Sequence, residues 1–116
     1  MIEQSKYQVV FAIVNDGYTD LVMNAAKTAG ARGGTVLSAR GTGNKDIAKF
    51  YGIVITPEKQ IIMILVPLTI RDAVISAISK EAGINTKSQG IIFSIPAEDA
   101  VGIVEEGRPQ ENVAGK

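Results

Sequence analysis

From Tyr7 to Asn15 the chain reads "YQVVFAIVN", a nearly unbroken apolar run that is rich in β-branched residues and closed by Asp16-Gly17. This is the pattern of a buried strand ending at a turn. The next stretch, "YTDLVMNAAKTAG", changes period. Leu21, Val22, Ala25, Ala26 and Ala29 fall on one helical face, Asp20, Asn24 and Lys27 point away, and Gly30 offers a left-handed stop. A Gly33-Gly34 turn then leads into a second strand, "GTVLSAR", Gly34 to Arg40. Residues Gly41 to Lys59 show weak periodicity, with glycines near the start and Thr56-Pro57 near the end, and read as a long loop. A loop of this length in a small domain is uncommon and is often functional.

The second half repeats the order of the first. "QIIMILVP" predicts a strand over Gln60 to Pro67. "LTIRDAVISAISKEAG" predicts a helix with Thr69 as N-cap, Asp72 three residues on, an apolar stripe of Val74, Ile75, Ile78 and Ala82, and a stop at Gly83. After "INTKSQG" comes a strand, "GIIFSIP", Gly90 to Pro96, then a short helix over Ala97 to Val104 and a polar tail. The whole is βαβ–βαβ, an α+β ferredoxin-like sandwich with two helices on one face of an antiparallel sheet. One domain over residues 1–107 and a flexible tail over 108–116 account for the chain. Both faces of the first and third strands are apolar: Val9, Phe11 and Ile13 oppose Val10, Ala12 and Val14, while Ile61, Met63 and Leu65 oppose Ile62, Ile64 and Val66. Two helices cover only one face, so the other predicts a homo-oligomer assembled sheet to sheet.

Composition narrows the chemistry. A length of 116 residues suits one core, and twelve acidic residues balance twelve basic ones. No global field is left to hold nucleic acid or an anionic membrane. RNA-recognition modules share this layout, but they need aromatics on the open sheet face, where this chain has chiefly Val, Ile, Ala and Met. The absence of cysteine and histidine removes disulfides, soft or imidazole metal ligands and the usual near-neutral acid–base group. A small enzyme is the least favoured class, and no metal site is expected. "MIEQSKYQ" has no signal-peptide pattern and no apolar run approaches membrane-spanning length, so a soluble cytoplasmic domain without membrane insertion is expected.

Two segments carry candidate chemistry. "RGTGN", Arg40 to Asn44, leaves a strand through two glycines one residue apart, where main-chain N–H groups can converge on an anion. It lacks the third glycine of a dinucleotide fingerprint and the Gly-Lys-Ser/Thr of a P-loop, and turn glycines at a strand end are the more frequent explanation. Arg40, Lys45 and Lys49 offer charge to phosphates, although three solvated basic residues on a loop usually serve solubility. Lys87-Ser88-Gln89-Gly90 forms the corresponding turn in the second half. In an oligomer that turn is placed to approach the Gly41–Gly43 loop of a neighbouring subunit. Tyr51, in "KFYG", reads either as an exposed handle for a partner or a modification, or as a local anchor.

With these elements in place, the chain resembles the P-II signal-transduction family. The resemblance is carried by "AGARGGTVLSARGTG" (Ala29 to Gly43), "IIMILVP" (Ile61 to Pro67) and "GIIFSIPAEDAVGI" (Gly90 to Ile103), and spans about Tyr7 to Gly107. It implies a ferredoxin-like homotrimer, a regulator rather than an enzyme, with adenine nucleotides bound in clefts between subunits. A T-loop, here Gly41 to Lys59, would dock on a transporter or metabolic enzyme of nitrogen or carbon metabolism. The resemblance places ligand contacts at Gly41, Thr42, Gly43, Asn44 and Lys45, and at Lys87, Ser88, Gln89 and Gly90. Gly90 would close the cleft from the next subunit, and Lys49, Phe50 and Tyr51 would meet the partner. The departures shape the ligand. Asn44-Lys45 replaces the usual Arg-Gln, Gly90-Ile91 replaces Gly-Lys, and Gly102 and Val104 stand where two phosphate-holding arginines are usual. The lysine of the returning strand falls at or beside Ile61, with Lys59 and Gln60 close by. Each lost charge-assisted contact is worth about 1.5–3 kcal/mol. AMP, ADP or a cyclic nucleotide therefore fits better than ATP, and a ligand-free structural or assembly module is the alternative.

Overall fold

The computed structural model describes residues 5–42 and 57–103. Six elements follow one another: β1 (Tyr7–Asn15), α1 (Thr19–Thr28), β2 (Thr35–Arg40), β3 (Glu58–Pro67), α2 (Leu68–Ala82) and β4 (Ile91–Ala97). The strands form one sheet in the order β2-β3-β1-β4, with every neighbouring pair antiparallel. This is the expected ferredoxin-like α+β sandwich. The two central strands, β1 and β3, are the two most apolar segments of the chain.

The core lies on the helical side. Val10, Ala12 and Val14 of β1 and Ile62, Ile64 and Val66 of β3 are fully buried against Val22, Ala25 and Ala26 of α1 and Val74, Ile78 and Ala82 of α2. The helical periodicity therefore identified the packed stripe of both helices. Gly30 ends α1 at φ +111°, the left-handed conformation anticipated from its position. Gly83 follows α2 for a different reason. Its φ is −71°, so it is not a left-handed stop. A Cβ there would lie 2.4 Å from the Ser79 carbonyl oxygen, so close backbone approach selects glycine.

Three boundaries differ from the sequence expectation. β3 begins at Glu58, which places Lys59 on the sheet rather than in the loop. Thr69 is not an N-cap: β3 runs directly into α2 through Pro67, no side chain caps the helix, and the Leu68 N–H donates to the Lys6 carbonyl at 2.8 Å. The short helix expected from Ala97 is not formed. Ala97 ends β4, and Asp99 (φ 52°) and Gly102 (φ 95°) both adopt left-handed backbone, which no right-handed helix accommodates. Val104 and the expected tail lie outside the described residues.

Candidate functional site

Strand alternation gives the sheet a second, uncovered face. Register stacks Ile95, Val9 and Leu65 in one row, Phe93, Phe11, Met63 and Thr35 in the next, and Ile91, Ile13, Ile61 and Leu37 in a third. Phe11 and Phe93 stack with centroids 5.0 Å apart. Leu37 (46%), Ile91 (56%), Phe93 (42%) and Ile95 (46%) are substantially exposed in the single chain.

The next row is polar: Ala39, Lys59 and Asn15 are aligned across β2, β3 and β1. Here the two candidate segments meet. The Gly41 N–H donates to the Pro57 carbonyl at 2.7 Å, closing the base of the 41–59 segment. A Cβ on Gly41 would sit 3.0 Å from the Lys59 Cε, so the lysine stem passes beside this glycine. The Lys59 ammonium donates to Asn15 Oδ1 at 2.7 Å, and Asn15 Nδ2 donates to the Lys87 carbonyl at 2.9 Å. The Asn15 N–H also donates to the Ser88 carbonyl at 2.9 Å. Asn15 thus fastens the 83–90 turn to the sheet end while presenting its amide oxygen to Lys59.

The turn is tightly constrained. Thr86 accepts from the Ser88 N–H with its hydroxyl, at 3.2 Å, and from the Gln89 N–H with its carbonyl, at 3.0 Å. Gln89 takes a left-handed φ of 51°. The Gly90 N–H donates to the Ala82 carbonyl at 2.9 Å, and a Cβ on Gly90 would lie 2.2 Å from that oxygen. Ser88 is fully buried, and its hydroxyl has no hydrogen-bond partner among the described residues.

This geometry changes the roles read from sequence. The amides of Gly41 and Gly90 are both engaged inside the fold, so neither offers the free N–H expected of an anion nest. Both glycines instead permit close packing. The turn bearing Lys87 to Gly90 also reaches the end of the sheet that carries Gly41 within one chain, bridged by Lys59 and Asn15. Thr42 is described and exposed, whereas Gly43, Asn44, Lys45, Lys49, Phe50 and Tyr51 lie outside the described residues. Asn15 was missed in the sequence, although a polar residue closing an apolar strand was the available signal.

The opposite end of the sheet holds a groove of about 570 Å³, lined in part by Tyr7, Arg32, Gly33, Leu65, Pro67 and Ile103. Among the described residues no group of His, Cys, Asp or Glu is placed to hold a metal ion, and no helix is long and apolar enough to cross a membrane.

The comparisons with known proteins agree with this architecture. Residues 7–107 match the family described as nitrogen regulatory protein P-II. Among solved structures, the crystal structure of Arabidopsis thaliana PII bound to citrate is 28% identical and superposes with a TM-score of 0.68, covering 89% of this chain and 88% of that one. No curated protein sequence matches significantly. The family match spans the whole of the described sheet and both helices. The chain belongs to the nitrogen regulatory protein P-II family and is a regulatory signal-transduction protein, not an enzyme.

Proposed function

We propose that the protein is a cytoplasmic homotrimer that senses a small anionic effector in clefts between subunits. It would relay occupancy through the 41–59 segment to a transporter or enzyme of nitrogen or carbon metabolism. The observation that carries this reading is the apolar open face bordered at one end by the Lys59–Asn15–Lys87 row. Copies joined through that face would place the polar rim at the edge of each contact, where a cleft forms. Sheet-to-sheet assembly also explains why Ile91, Phe93 and Ile95 are apolar although exposed in a single chain.

The effector class follows from charge. Gly102 occupies a position where the family places a phosphate-holding arginine, and the glycine amides at the site are engaged. Fewer cationic contacts favour AMP, ADP or a cyclic nucleotide over ATP. The Arabidopsis protein was crystallised with citrate, which supports a small polyanion as another candidate. Lys49, Phe50 and Tyr51 are proposed to meet the protein partner.

Thermal shifts against citrate, ATP, ADP, AMP and cyclic mono- and dinucleotides test the sensing reading, with and without magnesium and 2-oxoglutarate. A ligand at one hundred times its Kd should stabilise the protein by about 2.7 kcal/mol. The expected result is stabilisation by at least one of these anions. No shift with any of them would favour the second reading, a ligand-free assembly module, which the engaged amides of Gly41 and Gly90 support.

A further inference from the structure

The 83–90 turn is the part of the described fold that depends most on outside support. Two of its features oppose the conformation it holds. The Ser88 hydroxyl is fully buried with no hydrogen-bond partner among the described residues, so it loses its hydration without compensation. Gln89 takes a left-handed φ of 51°, which a residue with a Cβ disfavours. Ile84, Asn85, Lys87 and Gln89 are exposed, so packing does little to hold them. Among the described residues, the hydrogen bonds that tie residues 84–89 to the sheet both come from Asn15. Its N–H donates to the Ser88 carbonyl and its Nδ2 to the Lys87 carbonyl, each at 2.9 Å.

Asn15 is itself held from the other side. Its Oδ1 accepts from the Lys59 ammonium at 2.7 Å. An amide side chain presents its oxygen to a donor and its NH2 to an acceptor, so this bond turns Nδ2 toward the Lys87 carbonyl. The Lys59 stem passes beside Gly41, where a Cβ would lie 3.0 Å from Lys59 Cε. The Gly41 N–H donates to the Pro57 carbonyl at 2.7 Å and closes the base of the 41–59 segment. A continuous line of contacts therefore runs from that base, through Lys59 and Asn15, to the turn.

We infer that Asn15 is a coupling residue, which makes the conformation of the 83–90 turn conditional on the position of Lys59 at the base of the 41–59 segment. The device has two states. In the one described, Lys59 orients the Asn15 amide, the amide holds the Lys87 carbonyl, and this clamp offsets the unpartnered Ser88 hydroxyl and the left-handed Gln89. When the base shifts and Lys59 leaves Asn15, the amide is free to rotate and the clamp weakens. The turn then relaxes to an arrangement in which Ser88 finds a partner and Gln89 gives up its positive φ. The coupling goes beyond the sensing function proposed above, because it belongs to the chain itself and operates with or without an effector.

Amide hydrogen exchange on the full, ligand-free chain reads the turn directly, through the Gln89 N–H bonded to the Thr86 carbonyl and the Gly90 N–H bonded to the Ala82 carbonyl. The Val10 and Ile64 amides of the central strands serve as the reference for global unfolding. Asn15→Ala should speed exchange at Gln89 and Gly90 about ten-fold relative to that reference. Lys59→Met keeps an unbranched stem beside Gly41 and removes only the donor, and it should speed the same two amides about three-fold. In the double variant the effects should not multiply, and exchange should match Asn15→Ala alone. Ser88→Ala removes the unpartnered hydroxyl and should slow exchange at both amides about three-fold. Wild-type exchange in Lys59→Met, or effects that multiply in the double variant, would make Lys59 and the turn independent and overturn the inference. Faster exchange in Ser88→Ala would show that the hydroxyl is paired, and would overturn it too. Lys59→Met speeding Val10 and Ile64 as much as Gln89 and Gly90 would mean that Lys59 supports the whole fold, and the inference fails equally. None of these outcomes bears on the thermal shifts with effectors, so the sensing function stands or falls separately.

Discussion

Gly90 illustrates how much of this site is decided by single atoms. An alanine Cβ would meet the Ala82 carbonyl oxygen at 2.2 Å and Val14 Cγ1 at 3.1 Å, and the first of these is backbone at the end of a helix. Neither neighbour can yield without moving α2 away from β1. Gly90→Ala should therefore destabilise the protein by about 3 kcal/mol, at the upper end of ordinary overpacking costs, as read from urea denaturation. Gly41→Ala meets only the flexible stem of Lys59 at 3.0 Å. It should cost less than about 1 kcal/mol in the same measurement, while displacing the ammonium from Asn15. Equal destabilisation by the two substitutions would show that Gly41 also packs against rigid backbone. The glycines thus act by shape, and the polar contacts beside them are made by Lys59 and Asn15.

The helices and strands were legible because their burial repeats. Val74, Ile78 and Ala82 recur at helical spacing, and all three are buried, so periodicity located the stripe of α2 correctly. Ile78 is fully buried at its centre, and Ile78→Ala should cost 2–5 kcal/mol by the general range of such truncations, about ten times the effect of Ser76→Ala on the exposed face. Chemical denaturation of the two variants checks this, and similar costs would mean that the helix is rotated from the orientation described. Other features were not legible for physical reasons. Thr69 has the capping residue type, but the Lys6 carbonyl accepts the Leu68 N–H and the strand enters the helix without a cap. The segment after Pro96 has helical composition, yet left-handed backbone at Asp99 and Gly102 prevents a helix. At the site, sequence drew attention to glycines, because their pattern is conspicuous. It passed over Asn15 because nothing local reveals that its amide will bridge Lys59 and the Lys87 carbonyl, residues 44 and 72 positions away.

For the molecule as a whole, the decisive feature is that one sheet face is packed and the other is not. The two faces of β1 make opposite demands on a new charge. Val10→Asp would place an unpaired carboxylate in a fully buried position and should prevent stable folding. Phe11→Asp places the same group on the open face, between Phe93 and Met63. In an isolated chain that site reaches water, so the fold should survive with its circular dichroism unchanged. In the proposed homotrimer three such carboxylates would be buried with no partner, and each uncompensated charge costs several kcal/mol. Sedimentation should accordingly show a trimer for the wild type and a folded monomer for Phe11→Asp at the same concentration. A folded Phe11→Asp that still sediments as a trimer would place the subunit contact elsewhere, and a monomeric wild type would remove the oligomer altogether. The same variant also reports on the cleft. Lys59 lies on the open face four residues along β3 from Met63, the cross-strand partner of Phe11, so a cleft completed by the neighbouring subunit should lose effector binding when the trimer dissociates. Retention of full affinity by a folded monomer would instead show that the Lys59–Asn15–Lys87 row binds its anion within one chain.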